Sequence, residues 1–374
     1  ELWLENYGHW GFPSESLFYG GQSDCIGGEF WNEGPLGSWE RKIASSTGHI
    51  YGKKVISAES FTTSGLGFQR SPQSYKKRGD WSYTEGINHT VLTLFIHQPY
   101  NDKKPGVDAW FGSEINRHNT WWDLAKPWID YQRRCTYLLQ QGLYKADVCY
   151  FIGEDAPKSN AGRHPELPAG YSFDYINYDV LMNRMDVEDG RFILPDGMSY
   201  RILVLPESKT MRPELLEKIS QLVEKGGVIL GSPPSKAPGK KDYPQSDQKV
   251  ASLAKALWGD LDGEGLTRRD FGKGMVFRNC ALEEIFETLE LPADFSVPAD
   301  LSLLWIHRTL PGMDIYFLTN QGEEELSFTG NFRVSGMHPQ WWNAIDGSAR
   351  TLPEYNQQGE VTKVPIRLGP LESG

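Results

Sequence analysis

The sequence is poor in cysteine, and its four cysteines lie far apart. They form no Cys-x-x-Cys pair, and no histidine stands at a metal-binding spacing from them. A zinc site and a disulfide framework are therefore not predicted, and the redox compartment stays open. No apolar run reaches the roughly 18 residues of a membrane-spanning helix, so no membrane span is predicted.

Positive charge and nucleotide-binding motifs are also scarce. The 38 Lys and Arg residues are outnumbered by 49 Asp and Glu residues, which gives a formal net charge of −11. This balance argues against nucleic acid or an acidic membrane as a partner. The sequence has no Gly-x-Gly-x-x-Gly run, no Walker loop and no nucleophile elbow. Neither a nucleotide-binding turn nor serine or cysteine hydrolase chemistry is indicated.

Aromatic residues, in contrast, are abundant, at 13% of the chain with 13 Trp and 17 Tyr. An indole ring has a broad apolar face and one hydrogen-bond donor at its edge, which suits stacking on a sugar ring. Large proteins also bury many aromatic side chains in their cores. The aromatic content alone leaves both interpretations open.

Neither end of the sequence resembles the end of a folded domain. The chain begins at Glu1 without a Met or a signal peptide, and it stops at Gly374 shortly after a strand-like run at 364–368. We therefore expect both ends to be cuts, with any targeting segment outside the sequence.

The sequence divides into three regions that differ in their pattern of predicted strands and helices, and the first covers residues 1–145. Apolar strand-like runs at 54–58 and 90–96 alternate there with helix-like stretches at 37–52 and 121–141. Continuous apolar strands are typical of parallel sheets that are covered on both faces. We predict the C-terminal part of a catalytic (β/α)8-type barrel, with the remaining strands upstream of this sequence.

Two further regions follow. Residues 146–297 predict a doubly wound α/β domain, in which an amphipathic helix at 213–224 precedes a short apolar strand at 228–230. Residues 298–374 predict a truncated β-sandwich, opened by a hairpin around Pro311-Gly312. The predicted fold class is α/β.

Two carboxylates are candidate site residues. Glu29 follows Gly27-Gly28 and precedes Trp31, so a sharp backbone turn would set a carboxylate beside an indole. Such a pair suits a sugar or a cation, and a surface turn with a solvated Glu is the alternative. Glu59 directly follows the apolar run at 54–58, at the strand end where barrel enzymes place their active sites. It is the best catalytic candidate, and a salt-bridged core Glu is the alternative.

Four other residues are candidate substrate ligands. His97 and Gln98 follow the second apolar run and could hydrogen-bond sugar hydroxyls, although a structural histidine explains His97 equally well. Arg117 and Trp121 belong to a run that mixes amide, cation and indole groups just ahead of a helix. Helix capping in that run would explain part of its composition.

Several short motifs in one order resemble glycoside hydrolase family 106. The resemblance is dense from about residue 20 to residue 157 and is mostly architectural after that. The matching runs are 20–23, 27–31, 49–52, 58–62, 97–99, 116–122, 137–142 and 146–157.

The resemblance implies both an architecture and an activity. It implies a catalytic barrel, an amidotransferase-like α/β domain and appended β-sandwiches. It also implies removal of α-L-rhamnose with inversion, dependence on calcium, and a periplasmic or secreted location. An inverting reaction uses one carboxylic acid and one carboxylate about 6.5–9.5 Å apart, with a water between them.

The resemblance also implies residue roles. Glu59 matches a family carboxylate and is assigned as general base. Glu29 matches an acidic position that binds rhamnose hydroxyls or the calcium ion. The second catalytic carboxyl is expected upstream of Glu1, so this fragment alone is expected to lack activity. A barrel glycosidase for another sugar, such as a galactoside, and a non-catalytic carbohydrate-binding fragment are the alternatives.

Overall fold

The computed structural model of the protein describes residues 1–6, 14–34, 39–112, 115–158, 162–298 and 301–374. These residues form a mixed α/β molecule with two largely parallel sheets followed by a β-rich C-terminal part. Within the described ranges, no helix has the length and apolar character needed to cross a membrane.

The first group of elements alternates strand and helix. It comprises β1 (Trp3–Glu5), α1 (Ser16–Gly21), β2 (Cys25–Trp31), α2 (Trp39–Ile50), β3 (Ile56–Thr62), α3 (Pro72–Thr84), β4 (His89–Leu92) and α4 (Lys126–Leu139). The strands β1, β2, β3 and β4 form one parallel sheet in that order. A 3₁₀ turn at Trp122–Leu124 precedes α4.

The two faces of this sheet differ because side chains alternate along each strand. Ile26, Phe30 and Ile56 lie on one face, in a buried cluster with Tyr75 of α3 and Trp128 of α4. Burying a large apolar side chain contributes about 1.5–3 kcal/mol. This aromatic-rich face therefore anchors the sheet against its helices and leaves the opposite face for polar side chains.

The opposite face carries the two candidate carboxylates, with three changes from the sequence predictions. β2 runs through residues 27–28 as regular strand, so the predicted turn before Glu29 is wrong. β3 continues to Thr62, so Glu59 lies inside the strand and not after it. β4 ends at Leu92, so the strand predicted over 90–96 is shorter than expected.

The second group contains a six-stranded sheet with its helices. Its elements are β5 (Leu143–Tyr144), β6 (Val148–Phe151), β7 (Phe173–Ile176), α5 (Tyr178–Asn183), β8 (Asp186–Glu188), β9 (Arg191–Ile193), β10 (Ser199–Tyr200), β11 (Ile202–Val204), α6 (Pro213–Lys225), β12 (Val228–Leu230), α7 (Gln245–Trp258), β13 (Arg268–Phe271), β14 (Gly274–Phe277) and α8 (Leu282–Thr288). The sheet has the order β13-β14-β12-β11-β6-β7, and only β13 runs antiparallel to its neighbour. The helix and strand predicted at 213–224 and 228–230 are confirmed as α6 and β12.

The third group is β-rich. It comprises β15 (Phe295–Ser296), β16 (Leu303–Leu310), β17 (Met313–Asn320), β18 (Leu326–Phe332), β19 (Gln340–Trp342), β20 (Ala349–Thr351), β21 (Asn356–Gln358) and β22 (Val361–Leu368). β16 and β17 pair antiparallel over eight residues each, which confirms the predicted hairpin. One sheet has the order β15-β18-β22-β21, and another has the order β17-β16-β5.

The three groups pack tightly on one another. Leu17 and Ile43 of the first group share a buried cluster with Val148 and Leu203 of the six-stranded sheet. The short strand β5, just before the six-stranded sheet begins, pairs with β16 of the third group. Neighbouring groups therefore share core residues and strand pairing. The division into three separate domains stays a prediction.

Candidate active site

Glu29 and Glu59 are direct partners on two neighbouring parallel strands. Glu29 of β2 is in register with Glu59 of β3. Neighbouring strands lie about 4.8 Å apart, and partners in a parallel sheet point to the same face. Glu29 is buried, with 6% of its surface exposed, and Glu59 is half-buried. The structure therefore places two carboxylates side by side on the polar face of the sheet.

Each carboxylate accepts a hydrogen bond from a residue near the end of its own strand. The Trp31 indole N–H donates to Glu29 Oε1 at 2.6 Å. The Thr62 hydroxyl donates to Glu59 Oε1 at 2.7 Å. Hydrogen bonds of this length hold both side chains in defined orientations. Two oriented carboxylates can accept hydrogen bonds from sugar hydroxyls, and either can act as a base toward an attacking water.

Trp3, which the sequence interpretation missed, packs against the two strands that carry this pair. The Trp3 ring packs over Gly27, where an added Cβ atom would lie 2.7 Å from the ring. Its indole N–H donates to Ser57 Oγ at 2.9 Å. A glycine inside a strand often marks such a close approach, and that was the available signal.

The sequence interpretation also assigned no role to the ion pair between Arg70 and Glu33, which lies just after β2. The Arg70 guanidinium donates to Glu33, and the Ser64 backbone N–H donates to the same carboxylate at 3.1 Å. Burial raises the pKa of Glu33, but hydrogen bonds from Arg70, Asn32 and Ser64 outweigh burial and hold that pKa below its usual range. The ionised Glu33 thereby ties the segment after β2 to the segment after β3.

Three predicted substrate ligands make hydrogen bonds within and beside the segment that follows β4. The Gln98 amide donates to the Val107 carbonyl at 2.7 Å and accepts from the Val107 N–H at 2.8 Å. Arg117 donates to the Gln98 carbonyl at 2.5 Å. The Trp121 indole N–H donates to the Arg70 carbonyl at 2.8 Å. These contacts give all three a structural role, and their contact with substrate stays a prediction.

The fourth predicted ligand in this segment is His97. It is exposed and lies five residues beyond the end of β4, so it does not directly follow a strand as expected. The structure therefore brings Glu29, Trp31 and Glu59 together through the sheet, whereas His97 is placed by a long loop.

Among the described residues, no cluster of carboxylates forms the expected calcium site. Calcium takes six to eight oxygen ligands. Within the described ranges, no group of three or more His, Cys, Asp or Glu side chains is arranged to hold a metal ion. The assignment of Glu29 as a calcium ligand stays a prediction.

The sequence profile of glycoside hydrolase family 106, described as alpha-L-rhamnosidase, matches residues 1–357. The chain belongs to this family. A solved rhamnosidase from Novosphingobium sp. PP1Y is 30% identical and superimposes with a TM-score of 0.88, over 96% of this chain and 35% of that one. Both the profile and this solved structure carry the name of a rhamnosidase, which is a glycosidase.

Other relatives of this family 106 chain differ in their names. A protein of Formosa agariphila named "Putative beta-glucuronidase" is 34% identical over 370 residues, which is 98% of this chain and 30% of that protein. A β-galactosidase from Bacillus circulans sp. alkalophilus has a TM-score of 0.57 at 10% identity, over 96% of this chain and 60% of that one, and shares the fold alone. The chain spans about a third of the length of its two family-level relatives.

Proposed function

We propose that the protein containing this chain is an α-L-rhamnosidase that inverts the anomeric centre, and that the chain supplies Glu59 as general base. The observation that carries the proposal is the side-by-side pair of Glu29 and Glu59 on the polar face of a parallel sheet. Family membership supports rhamnose as the sugar that is released.

The placement of the two carboxylates favours different roles for them. An inverting pair of carboxyl groups lies about 6.5–9.5 Å apart to leave room for a water. Partners on adjacent strands start from backbones only about 4.8 Å apart. We therefore assign the general acid to a residue upstream of this chain. Glu29, oriented by Trp31, accepts hydrogen bonds from the sugar hydroxyls.

In the proposed reaction Glu59 removes a proton from water as the water attacks the anomeric carbon. The upstream general acid protonates the glycosidic oxygen as its bond to that carbon breaks, and the aglycone leaves as an alcohol. The hydrogen bond from Thr62 holds the Glu59 carboxylate in a defined orientation for this task. Trp31 contributes an apolar face beside the sugar and an N–H that orients Glu29. No step of this scheme passes through a metal ion.

We also propose that the four-stranded sheet is part of a (β/α)8 barrel and that the two later groups are amidotransferase-like and β-sandwich domains. All four strands are parallel, as in barrel enzymes, and Glu29 and Glu59 lie two and three residues before the C-terminal ends of their strands. The fold shared with a β-galactosidase supports the same proposal. Calcium dependence and a periplasmic or secreted location are proposed from the family resemblance.

One relative favours a second candidate substrate. The Formosa agariphila protein carries a name that refers to β-glucuronides, which differ from rhamnosides in bearing a carboxylate. The proposal of a glucuronidase is therefore tested in parallel, together with the galactosidase and the non-catalytic binding protein considered above.

The test is hydrolysis of a panel of 4-nitrophenyl glycosides by the full-length protein, with and without a calcium chelator. The panel contains the α-L-rhamnopyranoside, a β-glucuronide and a β-galactoside. Release from the rhamnoside alone is the expected result, and chelator sensitivity is expected with it. Release from another sugar and not from the rhamnoside would overturn the rhamnosidase proposal. Rhamnose binding in calorimetry without any release would favour a binding protein.

A further inference from the structure

The strand that carries Glu59 contains an irregularity at its end. Glu29 pairs with Glu59 and Phe30 pairs with Ser60, but the next partner of β2 is Thr62, so Phe61 has no partner on β2. Phe61 has a φ of 64°, a left-handed conformation that a bulky residue rarely adopts. One extra residue in one strand together with a local backbone kink defines a β-bulge.

The bulge reverses which face each later side chain meets. Residues 59 and 62 would point to opposite faces of a regular strand, because side chains alternate with a period of two. The extra residue puts Thr62 on the same face as Glu59, where its hydroxyl donates to the Glu59 carboxylate at 2.7 Å. Without the bulge this hydrogen bond would not form.

The same irregularity sends the Phe61 ring to the opposite face. Phe61 is 2% exposed there, and its ring centroid lies 5.0 Å from that of Phe30 and 5.1 Å from that of Tyr75. Aromatic burial of this kind is strongly stabilising and offsets the cost of the left-handed backbone. The aromatic cluster therefore holds the bulge in place.

Backbone contacts fix Thr62 on both sides. The Asn32 N–H donates to the Thr62 carbonyl at 2.7 Å, and the next residue, Thr63, donates its N–H to the Phe111 carbonyl at 3.2 Å. Thr62 is 1% exposed, so water has little access to its hydroxyl. Its β-branched side chain has few rotamers, which adds to the precision of the contact.

We propose that Thr62 is a positioning residue for Glu59, and that the bulge at Phe61 serves to bring the Thr62 hydroxyl to that carboxylate. The inference rests on the proposed function, because it gives Glu59 the task of general base. In this role Thr62 acts on the reaction through Glu59 and not through contact with the sugar or the attacking water. Its hydrogen bond acts by holding the Glu59 carboxylate in one orientation relative to the attacking water.

The test compares Thr62→Val with Thr62→Ser in the full-length protein. Valine keeps the shape and β-branch but removes the hydroxyl, whereas serine keeps the hydroxyl. A hydrogen bond to a charged group is worth roughly 10- to 100-fold in a rate, so we expect Thr62→Val to lower kcat by that factor with KM within about twofold. Thr62→Ser is expected to return kcat to within about threefold of the wild type.

Several results would overturn the inference: equal losses in the two variants, a loss confined to KM, or no loss in Thr62→Val. The comparison uses whichever glycoside of the panel the wild-type protein hydrolyses, so a change of sugar refutes the rhamnosidase proposal without touching Thr62. If Thr62→Val does not fold, Thr62→Ala replaces it.

A second measurement does not need turnover. Crystal structures of the two variants report the orientation of Glu59 directly. We expect the Glu59 carboxylate to leave its position in Thr62→Val and to keep it in Thr62→Ser. An unchanged, well-ordered Glu59 in Thr62→Val would overturn the positioning role even if the wild-type protein released no sugar.

Discussion

Glu59 combines features that a general base needs. It is half-buried on the polar face of the parallel sheet, it has a carboxylate neighbour in register, and a hydroxyl group orients it. General-base catalysis contributes about 10²- to 10⁴-fold to a rate. This contribution depends on the charge of the carboxylate and not on the size of the side chain, so it can be separated from packing.

The first prediction concerns Glu59→Gln in the full-length protein. The amide has the same shape but cannot accept a proton from water, so we expect kcat to fall by about 10²- to 10⁴-fold with little change in KM or melting temperature. Steady-state kinetics on the nitrophenyl rhamnoside measure both constants. Glu287→Gln on the exposed side of α8 is the matched control and is expected to change neither. A loss below tenfold for Glu59→Gln would remove Glu59 from the catalytic machinery.

Trp31 offers a second prediction, because its ring and its N–H have separate tasks. Trp31→Phe keeps an aromatic face but loses the donor to Glu29, and Trp31→Ala loses both. We expect KM to rise in both variants and to rise further in Trp31→Ala, since stacking is lost only there. Equal KM values in the two variants would assign the whole effect to the hydrogen bond. Unchanged values would return Trp31 to a structural role.

At the scale of elements, a buried polar cluster joins α2 to the six-stranded sheet. The Asp174 carboxylate of β7 accepts hydrogen bonds from Ser46 Oγ at 2.9 Å, His49 Nδ1 at 2.9 Å and the Tyr200 hydroxyl at 3.0 Å. The Lys42 ammonium lies 3.4 Å away. Burial raises the pKa of Asp174, but His49 and Lys42 outweigh burial and hold that pKa below its usual range.

The third prediction is that Asp174→Asn destabilises the protein by about 3–5 kcal/mol, because it removes the carboxylate that lies 3.4 Å from the buried Lys42 ammonium. Urea unfolding of the full-length protein measures the change. Asp186→Asn is the matched control, because the Asp186–Lys225 pair is half-exposed and such pairs contribute about 0–1 kcal/mol. Equal destabilisation by the two variants would contradict the role assigned to this cluster.

Phe61 joins the strained end of β3 to the aromatic cluster. The fourth prediction is that Phe61→Ala costs about 3–5 kcal/mol of unfolding free energy, as is usual for a buried phenylalanine, and lowers kcat as well. The loss of kcat is expected because the aromatic cluster holds the bulge that places Thr62. Phe286→Ala, a buried phenylalanine of α8, is the control for stability loss alone. A normal kcat in the folded fraction of Phe61→Ala would show that the bulge does not depend on the aromatic cluster.

At the scale of the whole molecule, a buried histidine helps to join the β-rich part together. His307 of β16 is 1% exposed, and its two ring nitrogens lie 2.9 Å from an Asp294 carboxylate oxygen and 2.8 Å from Asp314. Tyr316 and Arg333 also contact Asp294. Burial lowers the pKa of His307, but the hydrogen bonds to the two carboxylates outweigh burial and raise that pKa above its usual value.

The fifth prediction follows from the sign of that shift. A raised pKa in the folded state means that the charged imidazole stabilises the fold fully below its unfolded value of about 6.5. The stabilisation is lost as pH rises through the folded-state value. We therefore expect the thermal midpoint to fall as the pH rises above about 6.5, and His307→Gln to remove this part of the decline. Parallel pH profiles for the two proteins would contradict the prediction.

Local sequence patterns predicted much of the element order. The apolar positions of α6, ended by glycines at 226–227, and the β16–β17 turn at Pro311-Gly312 carry their signals within a few residues. The end of β3 was predicted before Glu59 but lies at Thr62, because small residues at 57–60 weaken the apolar pattern that marks a strand. The loop role of Gln98 was missed because its partner, Val107, lies nine residues away.

The order of short motifs was enough to show a resemblance to the family of this chain, and local patterns singled out Glu59, Glu29 and Trp31. Both properties are local, since they depend on residue types and short spacings. Only the tertiary structure decided that Glu29 and Glu59 are in register and that Thr62 shares their face. Strand register depends on backbone pairing across the sheet, and one extra residue in a bulge reverses the direction of every side chain after it. Sequence spacing alone does not reveal either feature.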